Sequence, residues 1–294
     1  MTVRSAADRV TGAPAQGAPL SSGDFVRLSS LIYRKCGIKM AEAKKTMLKA
    51  RLHKRLKALN FVTFEEYCAY LFSAAGMERE LVPMIDLVTT NKTDFFRESD
   101  HFDYLINTVL PELLDHSGAG IEERLLVWSS ACSSGEEPYT LAMVLNEFGW
   151  TRRGYDYSVL ATDISTRMIE AGKKAVYEEE QAAPIPAELK KKYLLRSKDR
   201  ARQLVKIAPL IRSRVEFRRV NLMDDHYDIK EAVHIIFCRN VIIYFDRQTQ
   251  ERLITRLCRY LRSGGYLFMG HSENLHGMNL PLIQAGPTVY RKIA

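Results

Sequence analysis

The sequence predicts an α/β protein in which a small all-helical domain precedes a mostly parallel sheet. Three observations point there. From Arg124 onward short apolar runs alternate with helical patterns, as strand–helix–strand units require. Between Asp24 and about Thr90 the apolar residues recur at helical spacing with no strand pattern between them. The stretch Arg124–Leu145, RLLVWSSACSSGEEPYTLAMVL, passes from an apolar run through small residues into a helical pattern at Glu136. That order gives a strand, a tight loop and a helix, with the loop at the carboxyl end of a strand, where ligands bind in open α/β sheets.

The 294 residues suffice for one large domain and a smaller one. No uninterrupted apolar run reaches membrane-spanning length. Residues 1–23, rich in Ala, Gly, Pro and Ser and lacking an apolar core, read as a flexible tail. Five cysteines (Cys36, Cys68, Cys132, Cys238, Cys258), odd in number and without CxxC spacing, fit a reducing cytoplasm with neither a disulfide framework nor a zinc site. The net charge of +8 is uneven: Asp24–Asn60 holds eleven Lys/Arg against two Asp/Glu, and Pro186–Val215 ten against two. Two basic patches on an acidic body predict an acidic partner, either nucleic acid or a carboxylate-rich protein surface.

In chain order, helices are expected over Asp24–Tyr33 and Lys44–Leu59, then Phe64–Ala74 and Glu78–Thr89. Leu48, Leu52, Leu56 and Leu59 form one stripe of the second, with Lys49, Lys54 and Lys57 pointing away. Arg51 and Arg55 lie beside the stripe, as buried stems with solvated heads or as a docking face for acidic side chains. Asn91–Ser99, NKTDFFRES, connects to a helix over Asp100–Asp115. Strands follow at Arg124–Ser129 and Tyr157–Thr162, with helices Glu136–Phe148 and Ser165–Lys174. Pro184–Arg214 interrupts the alternation with a helix and a small hairpin. Strands resume at Val215–Arg218 and Val233–Cys238, the latter apolar throughout save His234 and therefore central. A helix over Gln248–Leu261, a turn at Ser263–Gly265, a strand at Tyr266–Gly270 and a hairpin over about Leu282–Ala285 and Thr288–Lys292 complete the chain.

The loop after the first strand suits a cofactor other than a phosphate. Ser133, Ser134 and one glycine lead into Glu136 and Glu137, two carboxylates that would repel a pyrophosphate and favour an ammonium or sulfonium group with ribose hydroxyls. Ser134 and Glu137 also have the spacing of a capping box, with Pro138 tolerated in the first turn. Asp163, ending the second strand, stands where ribose hydroxyls are commonly held, and it or Ser165 could equally cap the next helix.

The strings TTNKTDFFRE, SSACSSGEEPYTLA, ATDIS, Asn221–Leu222, IFCRNVIIYFD and GHSENL, in that order, resemble the CheR family of chemotaxis receptor methyltransferases over Asp24–Lys292. The resemblance implies a Rossmann-like class I methyltransferase sheet with an antiparallel last strand over residues 121–294, carrying a small inserted antiparallel β-subdomain at about 184–214. It also implies an all-α receptor-docking domain over 24–90, with a linker and helix over 91–120. The implied cofactor is S-adenosylmethionine, with S-adenosylhomocysteine as product and no metal. Its pocket would use Asn91, Thr93, Arg97, Glu137, Asp163, Asn221, Leu222, Arg239 and Asn240. The catalytic pair would be Tyr244, which falls where the family has a tyrosine near the transferred methyl, and Arg97, expected to orient the incoming carboxylate or the cofactor.

The implied reaction is methyl transfer to glutamate side chains in the helical methylation region of chemoreceptors. Lys49, Arg51, Lys54 and Arg55 would draw that region in, and the enzyme would be cytoplasmic, working at membrane receptor clusters without itself spanning a membrane. A nucleic-acid methyltransferase using the basic patches, or a regulatory module that binds an adenosyl ligand without turnover, would share the sheet. Some family members bind a receptor tail peptide through a glycine-containing loop of the inserted subdomain. Here that loop, Arg196–Arg202 (RSKDRAR), has no glycine, which shifts receptor docking to the helical domain. For His271, Ser272 and Glu273, support of the pocket and plain loop structure both remain open.

Overall fold

A computed structural model describes residues 19–293 and divides the chain into two units, Met1–Thr89 and Thr90–Ala294. Of the tail expected over residues 1–23, the part up to residue 18 lies outside the described residues; Ser21 already caps a helix, its hydroxyl accepting from the Asp24 N–H at 3.0 Å.

The first unit is helical: α1 (Ser22–Cys36), α2 (Lys45–Leu59), α3 (Phe64–Leu71), α4 (Ala74–Arg79) and α5 (Leu81–Val88). Leu48, Leu52 and Leu56 are fully buried with Leu28, Ile32, Tyr67 and Leu71, so the leucine stripe is the core face of α2. Where two helices were expected after residue 63 there are three. Ser73 caps α4 by accepting from the Gly76 N–H, and Glu80 separates α4 from α5. Glu80 is 1% exposed. Arg55 donates to both of its carboxylate oxygens at 2.7 Å, and the Tyr67 hydroxyl donates to one of them at 3.0 Å.

Arg51 donates to the carbonyls of Val88 (2.6 Å) and Thr89 (3.1 Å), at the end of α5. The two arginines beside the stripe thus hold α2 to α5 and the Glu80 turn. These contacts lie inside the unit and give Arg51 and Arg55 a structural part in addition to the expected docking one. Lys54 is exposed and Lys49 half-buried.

The second unit opens with a loop to Ser99 and a helical run made of α6 (Asp100–Tyr104), a π-helical stretch Leu105–Val109 and α7 (Leu110–Ser117). Pro111, lacking an N–H to donate, follows the π stretch. Then come β1 (Leu125–Ser130), α8 (Glu136–Gly149), β2 (Tyr157–Asp163), α9 (Thr166–Lys174), β3 (Val176–Glu178), α10 (Ala187–Tyr193), β4 (Leu194–Arg196), β5 (Leu204–Ile207), α11 (Pro209–Arg212), β6 (Val215–Arg219), β7 (Val233–Cys238), α12 (Arg247–Tyr260), β8 (Leu261–Met269), β9 (Leu282–Gly286) and β10 (Val289–Lys292).

Seven strands form one sheet in the order β6-β2-β1-β7-β8-β10-β9. All pairings from β6 to β8 are parallel, and β10 enters antiparallel between β8 and β9. This is the Rossmann-like class I methyltransferase arrangement. The wholly buried β7 is the central strand. Alternation along the strands divides two cores. Val127, Ile235 and Phe237 face one side with Phe102, Leu141 and Phe148; Trp128, Ile236 and Cys238 face the other with Leu253, Ile254 and Leu257 of α12.

The second sheet, order β3-β5-β4, is antiparallel. It draws its third strand from Val176–Glu178, ahead of the expected start of the insertion at 184. The expected turn at Ser263–Gly265 is instead part of β8: the pairing jumps from Val233↔Leu261 to Ile235↔Tyr266, so the extra residues are absorbed as an irregularity within a continuing strand. Among the described residues no helix is long and apolar enough to cross a membrane, and all five cysteines are free and buried.

Candidate functional site

Strand order reverses between β1 and β7, and the crevice outside their carboxyl ends is the place where such sheets take ligands. The backbone leaves β1 through Ala131 (φ 56°), Ser133 (φ 50°) and Gly135 (φ 103°) before entering α8. Gly135 is the N-cap of α8, and a Cβ there would lie 2.9 Å from the Tyr177 hydroxyl and 3.1 Å from Gly172. The capping box that Ser134 and Glu137 could have made is therefore not formed. Ser134 donates to Glu136 instead, leaving Glu137 for the crevice.

Glu137 accepts from the Ser129 hydroxyl at 2.7 Å through one oxygen and from Arg239 Nη1 at 3.1 Å through the other. Burial pushes its carboxyl above the ordinary range, opposed by the charge of Arg239 and by both hydrogen bonds. Arg239, the first residue after β7 and 6% exposed, also donates through Nη2 to the Arg97 carbonyl and, at 2.9 Å, to Glu98. Its Nε is buried with no partner.

Glu98 is a residue the sequence reading missed. It accepts from Arg239, from Asn240 Nδ2 at 3.2 Å and from the His271 N–H at 3.3 Å. Burial alone would raise its carboxyl, but the Arg239 hydrogen bond and charge, Asn240 and His271 bring it below the ordinary range.

The linker is fastened to the same place. The Phe96 N–H donates to Thr140 of α8 (3.2 Å), Phe95 is buried edge-on to Tyr177 (4.9 Å between ring centres), and the Asn91 carbonyl accepts from Ser133 (3.0 Å). Arg97 donates to the Lys92 carbonyl at 3.2 Å, and Thr93 is half-buried between them in sequence. Asp163, 6% exposed, accepts from the Ser133 N–H (2.9 Å) and the Ser165 N–H (2.8 Å). Ser165 is the N-cap of α9, so Asp163 is left to join the loop after β1 to the end of β2. After β6, Asn221 accepts from the Met223 N–H (3.1 Å), and the carbonyl of buried Leu222 is held by Tyr227 and Arg256 at 2.8 Å each.

Glu273 answers the question left open for the last loop. It is 2% exposed, and it accepts the N–H groups of Asn240, Val241, Ile242 and Gly270 at 2.7–2.8 Å. It thereby ties the end of β8 to the turn Ile242–Tyr244 that carries Tyr244. Burial raises its carboxyl against these backbone donors. Gly270 permits the close approach, since a Cβ there would lie 2.6 Å from Asn240 Nδ2. An acidic residue soon after a buried strand is the signal, though composition alone does not separate it from a solvated loop.

Hydrogen bonds thus join Arg97, Glu137 and Asn240 through Arg239 and Glu98, and join Asn91 to Asp163 through Ser133, around the ends of β1, β2 and β7. Asn221 and Leu222 come from the loop after β6, the strand beside β2.

Residues 91–290 match the family described as CheR methyltransferase, SAM binding domain, and residues 23–89 match CheR methyltransferase, all-alpha domain. The chain belongs to the CheR methyltransferase family. It is similar to a chemotaxis protein methyltransferase of Borreliella burgdorferi, at 38% identity over 93% of this chain and 95% of the relative. Chemotaxis protein methyltransferase 2 of Pseudomonas aeruginosa is 37% identical over 91% and 92%, and the Escherichia coli chemotaxis protein methyltransferase 36% identical over 92% and 91%. This CheR-family chain is accordingly an S-adenosylmethionine-dependent methyltransferase.

Proposed function

We propose that the protein transfers methyl groups from S-adenosylmethionine to glutamate carboxylates in the helical cytoplasmic region of chemoreceptors, forming methyl esters. The observation that carries this reading is the charge of the crevice. Glu137, Asp163 and Glu98 outnumber the buried cation Arg239, which suits a ligand bearing an ammonium and a sulfonium. The buried, unpartnered Arg239 Nε gives that ligand, or the incoming carboxylate, a donor to meet. The names of the relatives, chemotaxis protein methyltransferases, support the receptor as acceptor.

Asn91, Thr93, Arg97, Glu137, Asp163, Asn221, Leu222, Arg239 and Asn240 would hold the cofactor, with Asp163 at the ribose hydroxyls. When bound, S-adenosylmethionine supplies a methyl group on a cationic sulfur. A glutamate carboxylate, with a reference pKa of about 4.3, is already ionised at neutral pH, so no strong base is required. The chain's own contribution is orientation and exclusion of water, of the order of several kcal/mol. Arg97 would orient the incoming carboxylate and Tyr244 the acceptor oxygen, with Glu273 keeping the turn that bears Tyr244 in place.

Lys49 and Lys54 would attract the acidic receptor helix, with Arg51 and Arg55 fixing the helix that carries them. The reduced thiols fit a cytoplasmic enzyme that meets its receptors at membrane clusters. The three relatives compared above are named as methyltransferases of chemotaxis, which favours a protein acceptor over nucleic acid and turnover over binding alone. Incubation with methyl-labelled cofactor and receptor fragments or RNA decides the acceptor: label on the receptor, released by alkali as methanol, supports the ester. Stable label, or label on RNA, overturns it.

A further inference from the structure

Besides Arg239, Glu98 faces two histidines to which the methyl-transfer reading gives no part. Glu98, His101 and His271 each bring one possible ligand atom, and these atoms lie within 4.8 Å of one another. His101 is 2% exposed, and its Nδ1 is buried without a hydrogen bond, 3.6 Å from a Glu98 oxygen, while Nε2 is held by Thr288 at 2.9 Å. Neither tautomer satisfies Nδ1: a proton there is too far from the carboxylate for a hydrogen bond, and a lone pair there faces a negative group.

A cation between them would resolve both cases. The separation of 3.6 Å is near the roughly 3.3 Å between donors spaced tetrahedrally around a zinc ion with bonds of about 2.0–2.1 Å. His271 completes the set from the solvent side. Its side chain is 49% exposed, and one ring nitrogen lies 3.0 Å from Asp100, the carboxylate–imidazole pairing that orients a metal-binding histidine.

We propose that Glu98, His101 and His271 form a binding site for a divalent transition ion of zinc's ligand preference, and that its occupancy inhibits the enzyme. Two imidazoles and one carboxylate suit zinc or cobalt better than magnesium or calcium. The cysteine spacing argued only against a thiolate site and leaves this one untouched. Inhibition follows from a shared atom: the Glu98 oxygen facing His101 also accepts from Arg239 Nη2 at 2.9 Å. A dication there displaces the guanidinium, which keeps Glu137 but loses Glu98, and the linker carrying Arg97 loosens from the crevice. The binding half stands independently; the inhibitory half rests on the methyl-transfer reading.

The test uses the full chain, with cobalt(II) titration followed by visible absorption, zinc competition against a chromogenic chelator, and methyl transfer with and without zinc. His271→Ala removes an exposed side chain while keeping the backbone N–H that meets Glu98. The wild type should take up one equivalent of ion and lose activity in step. His271→Ala should bind at least tenfold more weakly, turn over normally without metal and resist zinc. Equal uptake and inhibition in the variant, or no uptake by the wild type, overturns the site. Uptake weakened by the variant but without inhibition keeps the site and overturns its regulatory role. A chain without methyltransferase activity would still report binding through the cobalt spectrum.

Discussion

Glu137 and Arg239 meet at 3.1 Å across the point where the strand order reverses, one on the helix after β1 and the other directly after β7. Removing the cation alone strands a buried carboxylate. Arg239→Met is expected to destabilise the second unit by about 3–5 kcal/mol in urea unfolding. Glu137→Gln, which keeps a group able to accept and donate hydrogen bonds, should lower stability less but weaken cofactor uptake at least tenfold. A stability near wild type for Arg239→Met would mean that the ion pair does not organise the crevice.

Arg97 should separate turnover from folding. Its guanidinium is half-buried and bonded to the Lys92 carbonyl, so Arg97→Ala should change stability by less than about 1 kcal/mol. Loss of turnover of a hundredfold or more in the same variant is the expected outcome in a receptor-methylation assay. Normal methylation would remove the residue from the catalytic assignment.

Glu273 acts through the turn it holds. Glu273→Ala leaves five backbone N–H groups without their acceptor, and a loss of about 1–3 kcal/mol or more is expected. In Glu273→Gln, which retains one good acceptor, kcat should fall more than cofactor affinity, because Tyr244 is displaced while Glu137 and Asp163 are not. Equal losses in both would assign Glu273 to the pocket as a whole.

Within the helical unit, the two classes of basic residue should behave differently. Arg55→Ala leaves Glu80 buried beside Tyr67 and should destabilise that unit by about 3–5 kcal/mol. Lys54→Glu, on an exposed side chain, should shift stability by under about 0.5 kcal/mol while raising the receptor KM and flattening its salt dependence. Unchanged kinetics would leave Lys54 as a solvated face.

A pH signature follows from Glu136, which is 2% exposed, bonded to Ser134, and raised above its ordinary 4.5 by burial. Because the folded chain binds this proton more tightly than the unfolded one, the group's stability is fully present below 4.5 and declines as pH rises through the raised value. Glu136→Gln should therefore leave Tm nearly unchanged below 4.5 and raise it increasingly toward neutral pH. A gain independent of pH would contradict the sign.

How much of this was legible depended on whether a residue's role was local. The apolar run Val233–Cys238 declared itself as the central strand because both its faces are buried. The loop Ser133–Gly135 was legible because small residues between an apolar run and a helical pattern mark a tight turn, at which Gly135 takes φ 103°. Val176–Glu178 escaped notice, since a three-residue strand with two exposed side chains carries no periodic signal. Ser263–Gly265 has turn composition and lies in the irregular stretch of β8 between the paired residues Leu261 and Tyr266, a continuation of the strand that composition does not reveal. Arg51 and Arg55 read as possible docking charges because their partners lie far along the chain, at Glu80 and Val88–Thr89. Glu98 and Glu273 escaped a role for the same reason, each collecting donors from loops that meet only in the folded sheet.

The central claim is that the crevice lined by Glu137, Asp163 and Arg239 receives S-adenosylmethionine. Calorimetric titration of the folded chain with S-adenosylhomocysteine tests it most directly. One molecule taken up per chain, and uptake weakened at least tenfold in Glu137→Gln, is the predicted result; no binding heat from well-folded wild-type protein would contradict it.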